Sequence, residues 1–315
     1  MKNFRLLLAF AALVALAGCG KPQEASKPPV PKIRVGYTNT TSFTGLFVAK
    51  ERGLFSRHGL DVELVPLALN SIIPSALAGS SLEIGGTTPS VFLQAVEGGI
   101  DMVEVAGGAV NDVNVPNGGV VAATGSAIHG PKDFEGKRVG VPGLGAYMHI
   151  LFVRWLSEKG VDLKKVSFVE VPLAQSSDIL RSGNVDAMLA GEPFFGRILE
   201  AGTGHLVSPY LTEMPDGLFA IYYASRRDWA QRNADTLQKF RAALAEAADY
   251  IAKNPAEARR ILGRATHLPP AVAEKSVLPT LRLAVPASDM DYWAATLVSQ
   301  NVLKGRPDAA KLMLQ

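Results

Sequence analysis

The chain has 315 residues, with 32 Lys and Arg against 29 Asp and Glu for a net charge of +3, and no dense basic stripe, which argues against nucleic acid as a partner. Apolar residues make up 48%, with Gly and Pro scattered among them, which excludes a disordered or fibrous chain. A single cysteine excludes an internal disulfide, and five scattered histidines without ligand spacing predict neither a metal centre nor a cofactor.

At the N-terminus Lys2 and Arg5 precede an apolar run, Leu6 to Leu16, that is too short to span a bilayer as a mature helix. Leu16-Ala17-Gly18-Cys19 reads as a bacterial lipobox, so residues 1–19 are expected to be a lipoprotein signal with acylation at Cys19. A plain cleaved secretory signal and an N-terminal anchor helix are the alternatives. Residues 20–31, with Pro22, Pro28, Pro29 and Pro31 among charged and polar neighbours, read as a solvated tether.

From Ile33 onward strand and helix signals alternate, as a sheet with crossover helices requires. Strands are expected at 33–37, 62–65, 83–86, 103–106 and 120–124. A helix capped by Ser42 or Thr44 should run to Arg52, another should cover 71–78, and a third should run from Pro89 to Glu97 under a Thr88 cap. The Gly- and Asn-rich stretch 107–119 reads as a loop. A second series follows, with strands at 138–141, 166–171, 185–189 and 218–224 and helices at 147–158, 177–181 and 193–200. In the tail, Leu237, Phe240, Leu244, Ala248 and Ile251 recur at helical spacing, and Asn254-Pro255 is expected to cap the next helix. The expected organisation is a first lobe over 32–124 and 221–315 with a second lobe over 125–220.

One unit occurs twice: Leu77-Ala78-Gly79…Glu83-Ile84-Gly85-Gly86-Thr87-Thr88-Pro89 and Leu180-Arg181-Ser182-Gly183…Asp186-Ala187-Met188-Leu189-Ala190-Gly191-Glu192-Pro193. Each copy places a helix N-terminus just beyond the carboxyl end of a strand, where open α/β sheets bind ligands.

These segments, together with Gly36-Tyr37 and its Thr/Ser loop, Ala49-Lys50-Glu51-Arg52-Gly53-Leu54-Phe55, Pro131-Lys132-Asp133 with Gly136-Lys137-Arg138-Val139-Gly140, and Glu192-Pro193-Phe194, carry a family likeness. The chain resembles the periplasmic solute-binding proteins of ABC importers, in the group that includes sulfonate, taurine, nitrate and thiamine-precursor binders. The resemblance implies a two-lobe α/β fold of the type II periplasmic-binding-protein class, with two hinge strands and a ligand cleft. It implies a monomeric, non-enzymic receptor on the periplasmic face of a bacterial membrane that hands a small molecule to an inner-membrane permease. A small-molecule lyase on the same fold and a lipoprotein that only senses a ligand are the alternatives.

By that resemblance the ligand positions are Thr38, Thr41 and Ser42 after the first strand, Thr87 and Thr88 after the repeat strand, Gly145, Ala146 and Tyr147 in the second lobe, and Glu192 with Phe194. Helix N-termini near Ser42, Thr88 and Gly145 would each offer free N–H groups and about half a positive charge, an anion site needing no Lys or Arg. The hydroxyls can equally be ordinary helix caps. A carboxylate at Glu192 opposes a purely inorganic anion and fits a ligand amine, hydroxyl or ring N–H, or a structural partner. Phe43, Tyr147, Phe194 and Tyr222 are either a flat aromatic shelf or core. His149, two residues beyond Tyr147, would have an acid–base role only if it faced Glu192 across the cleft.

Overall fold

The computed structural model describes residues 32–314. The signal, Cys19 and the tether expected over 1–31 lie outside the described residues. In chain order the first lobe begins with β1 (Lys32–Thr38), α1 (Thr44–Glu51), α2 (Leu54–Arg57), β2 (Asp61–Leu67) and α3 (Ile73–Ala78). It continues through β3 (Ile84–Thr87), α4 (Pro89–Glu97), β4 (Met102–Gly107) and the short β5 (Ala109–Val110). The second lobe comprises β6 (Gly118–Ala123), β7 (Arg138–Val141), α5 (Tyr147–Glu158), β8 (Ser167–Glu170), α6 (Ser176–Arg181), β9 (Ala187–Gly191), α7 (Phe194–Glu200) and β10 (Gly204–Ser208). The chain then returns through β11 (Tyr222–Arg226) to α8 (Arg227–Arg232), α9 (Ala234–Lys253), α10 (Pro255–Thr266), α11 (Pro270–Lys275), β12 (Thr280–Leu281), α12 (Ala287–Ser299) and α13 (Ala309–Leu312).

Two five-stranded sheets result, ordered β2-β1-β3-β11-β4 and β8-β7-β9-β6-β10. Their topologies match: three parallel strands, then a strand arriving antiparallel from the other part of the chain, then one antiparallel to that. The repeated acid explains the match at the level of residues. The Glu83 carboxylate accepts the Arg34 backbone N–H at 2.7 Å while the Arg34 guanidinium reaches the Ser80 carbonyl. In the second lobe Asp186 accepts the Arg138 N–H at 2.7 Å and Arg138 reaches the Gly183 carbonyl. In each copy the acid just before the inner strand fixes that strand's register on its neighbour, Val35 opposite Ile84 and Val139 opposite Ala187.

The crossover comes earlier than the sequence placed it. Gly118–Ala123 already pairs with β9 and β10, so the chain leaves the first lobe through residues 111–117 and not near Thr124. The Gly- and Asn-rich stretch is therefore the crossing itself, and within it β5 pairs with β12. β10 was not anticipated. The return strand starts at Tyr222 and not at Leu218, because residues 209–221 form the second crossing.

Of the three side-chain caps expected from the sequence, the one at Thr88 is present. Thr88 sits extended before α4, its hydroxyl accepts the Val91 N–H, and Pro89 occupies the first helical position. Ser42 and Thr44 cap nothing: α1 starts after Phe43 without a side-chain cap, and the Thr44 hydroxyl donates to the Thr41 carbonyl at 2.6 Å. Asn254 likewise precedes α10 without a side-chain cap. Phe43 and Tyr222 are fully buried core residues. Phe43 lies directly under β3, in the space that a side chain at Gly86 would need, so that strand must carry a glycine there.

Candidate functional site

Between the two sheets lies a cavity of about 100 Å³. The first lobe contributes the loop after β1 (Thr38, Thr40, Thr41, Ser42), Asn70 after β2 and Thr88 after β3. The second contributes Ala146, Tyr147 and Met148 at the start of α5 and Gly191–Glu192 after β9. Asn117 of the outgoing crossing and Leu211, Ala220 and Ile221 of the returning one also line it. Each contributing loop after β1, β2, β3 and β9 follows the carboxyl end of a strand, the place a ligand meets an open sheet.

Seven of the ten predicted positions line this space: Thr38, Thr41, Ser42, Thr88, Ala146, Tyr147 and Glu192. Thr87, Gly145 and Phe194 do not. The Thr87 hydroxyl is fully buried and donates to the Asn70 side-chain oxygen at 3.2 Å. Phe194 lies outside under the Arg197 guanidinium, 5.9 Å from its ring centre. Tyr147 is thus the only aromatic of the proposed shelf that reaches the cavity. Gly145 stands just behind the wall, with its N–H donated to His149 Nδ1 at 2.9 Å and its carbonyl accepting from Gln94 of α4 at 2.8 Å.

Asn70 was missed, and it is central. Its side-chain oxygen accepts the Thr88 N–H at 2.9 Å and its amide donates to the Gly86 carbonyl, so it fixes the turn that presents Thr88. The rule that singles out loops after strands, applied to Val62–Val65, would have found it. Asn117 had no such signal, because it lies in a crossing that only tertiary pairing defines.

The electrostatics are two-sided. Among the described residues no Lys, Arg or His lines the cavity. The positive side is made of backbone: α5 begins after Ala146 with no side-chain cap, leaving the Tyr147, Met148 and His149 N–H groups without a protein acceptor among the described residues. That terminus carries about half a positive charge. Half-buried Glu192 is part of the same lining, and among the described residues its carboxyl accepts one hydrogen bond, from the Gly196 N–H at 3.3 Å. Burial, with the nearby Glu200 charge, pushes its pKa above the usual carboxylate range, and the Gly196 N–H only partly offsets this.

His149 does not face Glu192. Its Nδ1 accepts from Gly145, which assigns the ring proton to Nε2, and its edge packs on Phe168 at 4.4 Å. Burial holds its pKa down at about 4, so the ring is neutral and shapes the loop. Gly145 has φ +74°, and a Cβ there would lie 2.6 Å from Gln94 Oε1. Gly145→Ala is therefore expected to displace the loop and lower ligand affinity about tenfold or more, with a cost of 1–2 kcal/mol in urea unfolding. An unchanged affinity would remove this loop from the binding geometry.

Hydrogen bonds join the two lobes. The Thr41 N–H donates to the Glu192 carbonyl at 3.2 Å, and the Ser71 hydroxyl donates to Glu170 Oε1 at 3.1 Å. Among the described residues no helix is long and apolar enough to cross a membrane, and no three His, Cys, Asp or Glu side chains gather to hold a metal.

A family model described as NMT1/THI5 like matches residues 40–258. A protein of Brucella abortus (strain 2308), named provisionally as a binding protein, is 27% identical over 238 residues, covering 74% of this chain and 71% of that one. The formylaminopyrimidine-binding protein of Halalkalibacterium halodurans is 25% identical over 277 residues, covering 83% and 79%. Among solved structures, the alkanesulfonate-binding protein SsuA of Xanthomonas axonopodis pv. citri, bound to MOPS, superposes with a TM-score of 0.77 at 21% identity over 91% of this chain and 99% of that one. The architecture is the two-lobe periplasmic-binding-protein fold, and with more than half its length matched the chain belongs to the NMT1/THI5-like family.

Proposed function

We propose that this chain is the solute receptor of an ABC importer, held at the periplasmic face of a bacterial membrane by a lipid on Cys19, and that it binds without catalysis. It captures a small organic molecule with an electronegative or anionic end and an N–H or ammonium donor. The observation that carries this reading is the cavity's polarity: uncapped backbone N–H groups of α5 and, in the same lining, a carboxyl group with no cationic partner among the described residues. An acidic or carbonyl oxygen of the ligand would sit at the Tyr147 and Met148 N–H groups and the Thr88 hydroxyl, and its donor at Glu192. Relatives named for binding sulfonate, nitrate and formylaminopyrimidine support a small polar ligand. His149 stands outside the cavity lining, which supports binding over proton transfer by that ring.

A thermal-shift screen of the delipidated protein against nitrate, taurine, small sulfonates, aromatic acids and pyrimidines tests this. One organic compound at a hundredfold excess over its Kd should stabilise the fold by about 2.7 kcal/mol and be recovered unchanged. Stabilisation by nitrate alone, or turnover of the compound, would overturn it. Thr88→Ala is expected to weaken binding about tenfold and to cost about 1 kcal/mol of stability through the lost cap. Thr87→Ala, whose hydroxyl faces Asn70, should affect binding less.

A further inference from the structure

Two hydrogen bonds outside the cavity converge on one loop, residues 143–146, immediately before α5. Gln94 on α4 donates to the Ser90 carbonyl of its own helix at 2.9 Å and to the Gly145 carbonyl of the other lobe at 2.8 Å. Glu170, at the end of β8, accepts the Leu144 N–H at 3.0 Å and, through the same oxygen, the Ser71 hydroxyl of the first lobe at 3.1 Å. Neither Gln94, Ser71 nor Glu170 lines the cavity.

We propose that Gln94, Ser71 and Glu170 are positioning residues forming a latch between the lobes, which holds the loop and the first turn of α5 in place at the cavity when the lobes close. The division of labour is readable from the partners. Glu170 to Leu144 and His149 to Gly145 lie within the second lobe and keep the loop's shape whether the lobes are together or apart. Gln94 to Gly145 and Ser71 to Glu170 join the lobes and are lost on opening. The Gln94 amide is pre-oriented by Ser90, so closing costs it little rotamer freedom. Ligand affinity is thereby coupled to groups that never touch the ligand, because only interactions that differ between open and closed forms shift that equilibrium.

This inference rests on the receptor reading for the meaning of closure, but its test needs no ligand, so the two fail separately. In the full chain with Cys19→Ser, spin labels at the exposed positions Ser56 and Ser167 report the distance between the lobes. The parent is expected to populate the short distance. Gln94→Leu and Ser71→Ala should each lower the closed-to-open ratio about fivefold, the effect of one lost hydrogen bond. Glu170→Ala should do the same, and Glu170→Gln should restore the parent distribution, because an amide oxygen still accepts both donors. A purely structural role would show no such rescue. A parent found only at the long distance overturns the latch, as do Gln94→Leu and Ser71→Ala distributions that superimpose on the parent. Should Gln94→Leu fail to fold, the partly exposed Ser71→Ala decides the matter alone.

Discussion

Glu192→Ala is expected to reduce affinity for an amine-bearing ligand by about a hundredfold, the loss of one charge-assisted hydrogen bond of about 1.5–3 kcal/mol in a half-buried site. Among the described residues the carboxyl accepts a single N–H and meets no cation, so it has unused hydrogen-bonding capacity in a residue that lines the cavity. Its raised pKa, caused first by burial, gives the prediction a pH signature. In the free protein the folded state keeps a proton that the unfolded chain has already released, so Glu192 lowers stability as pH rises through the window above the ordinary carboxylate value. An ammonium ligand needs the ionised form, so its binding should strengthen across that same window. Calorimetric titrations of parent and variant at pH values from about 4 to 7 would show the slope in the parent and its loss in Glu192→Ala. Equal affinities and parallel profiles would take Glu192 out of the site.

The larger stability effect lies far from the cavity. Glu104 in the middle of β4 is 5% exposed, and its carboxyl has no hydrogen-bond partner among the described residues. Arg241 approaches but gives its Nε–H to the Val105 carbonyl. Burial pushes Glu104 up to about 8, with the Arg241 charge opposing weakly. The folded state therefore holds a proton that the unfolded state loses near the ordinary carboxylate value. Stability contributed by the neutral form is complete at low pH and falls as pH rises towards 8. Each tenfold difference in proton affinity is worth about 1.4 kcal/mol, so the loss reaches several kcal/mol at pH 8. Glu104→Gln keeps the shape without the charge. It is expected to leave stability at about pH 5 nearly unchanged and to raise it by about 2–4 kcal/mol at pH 8, measured by urea unfolding. Parallel pH profiles for parent and variant would mean that the carboxylate is satisfied when ionised.

What the sequence determined by itself is the local and the repeated. Thr88-Pro89 specifies a helix start because a hydroxyl three residues ahead of an N–H and a fixed φ act within one turn. The duplicated acid before an apolar strand, Glu83 and Asp186, announced two lobes of the same topology, since each acid binds the backbone of the neighbouring strand in the same way. Tyr147–Glu158 emerged with its boundaries as read, because a long apolar periodicity ending at Gly160 leaves few alternatives. What only the tertiary structure decided is which of these pieces face each other. Ser42 opens into the cavity while Thr87 turns to Asn70, and Glu192 lines it while Phe194, two residues on, turns away. The crossing at 111–117 appeared only once Gly118–Ala123 was seen paired with β9. Such outcomes depend on strand pairings and lobe closure between residues some 50 to 150 positions apart, and side-chain direction at a cleft is set by those distant partners and not by the residues beside it in the chain.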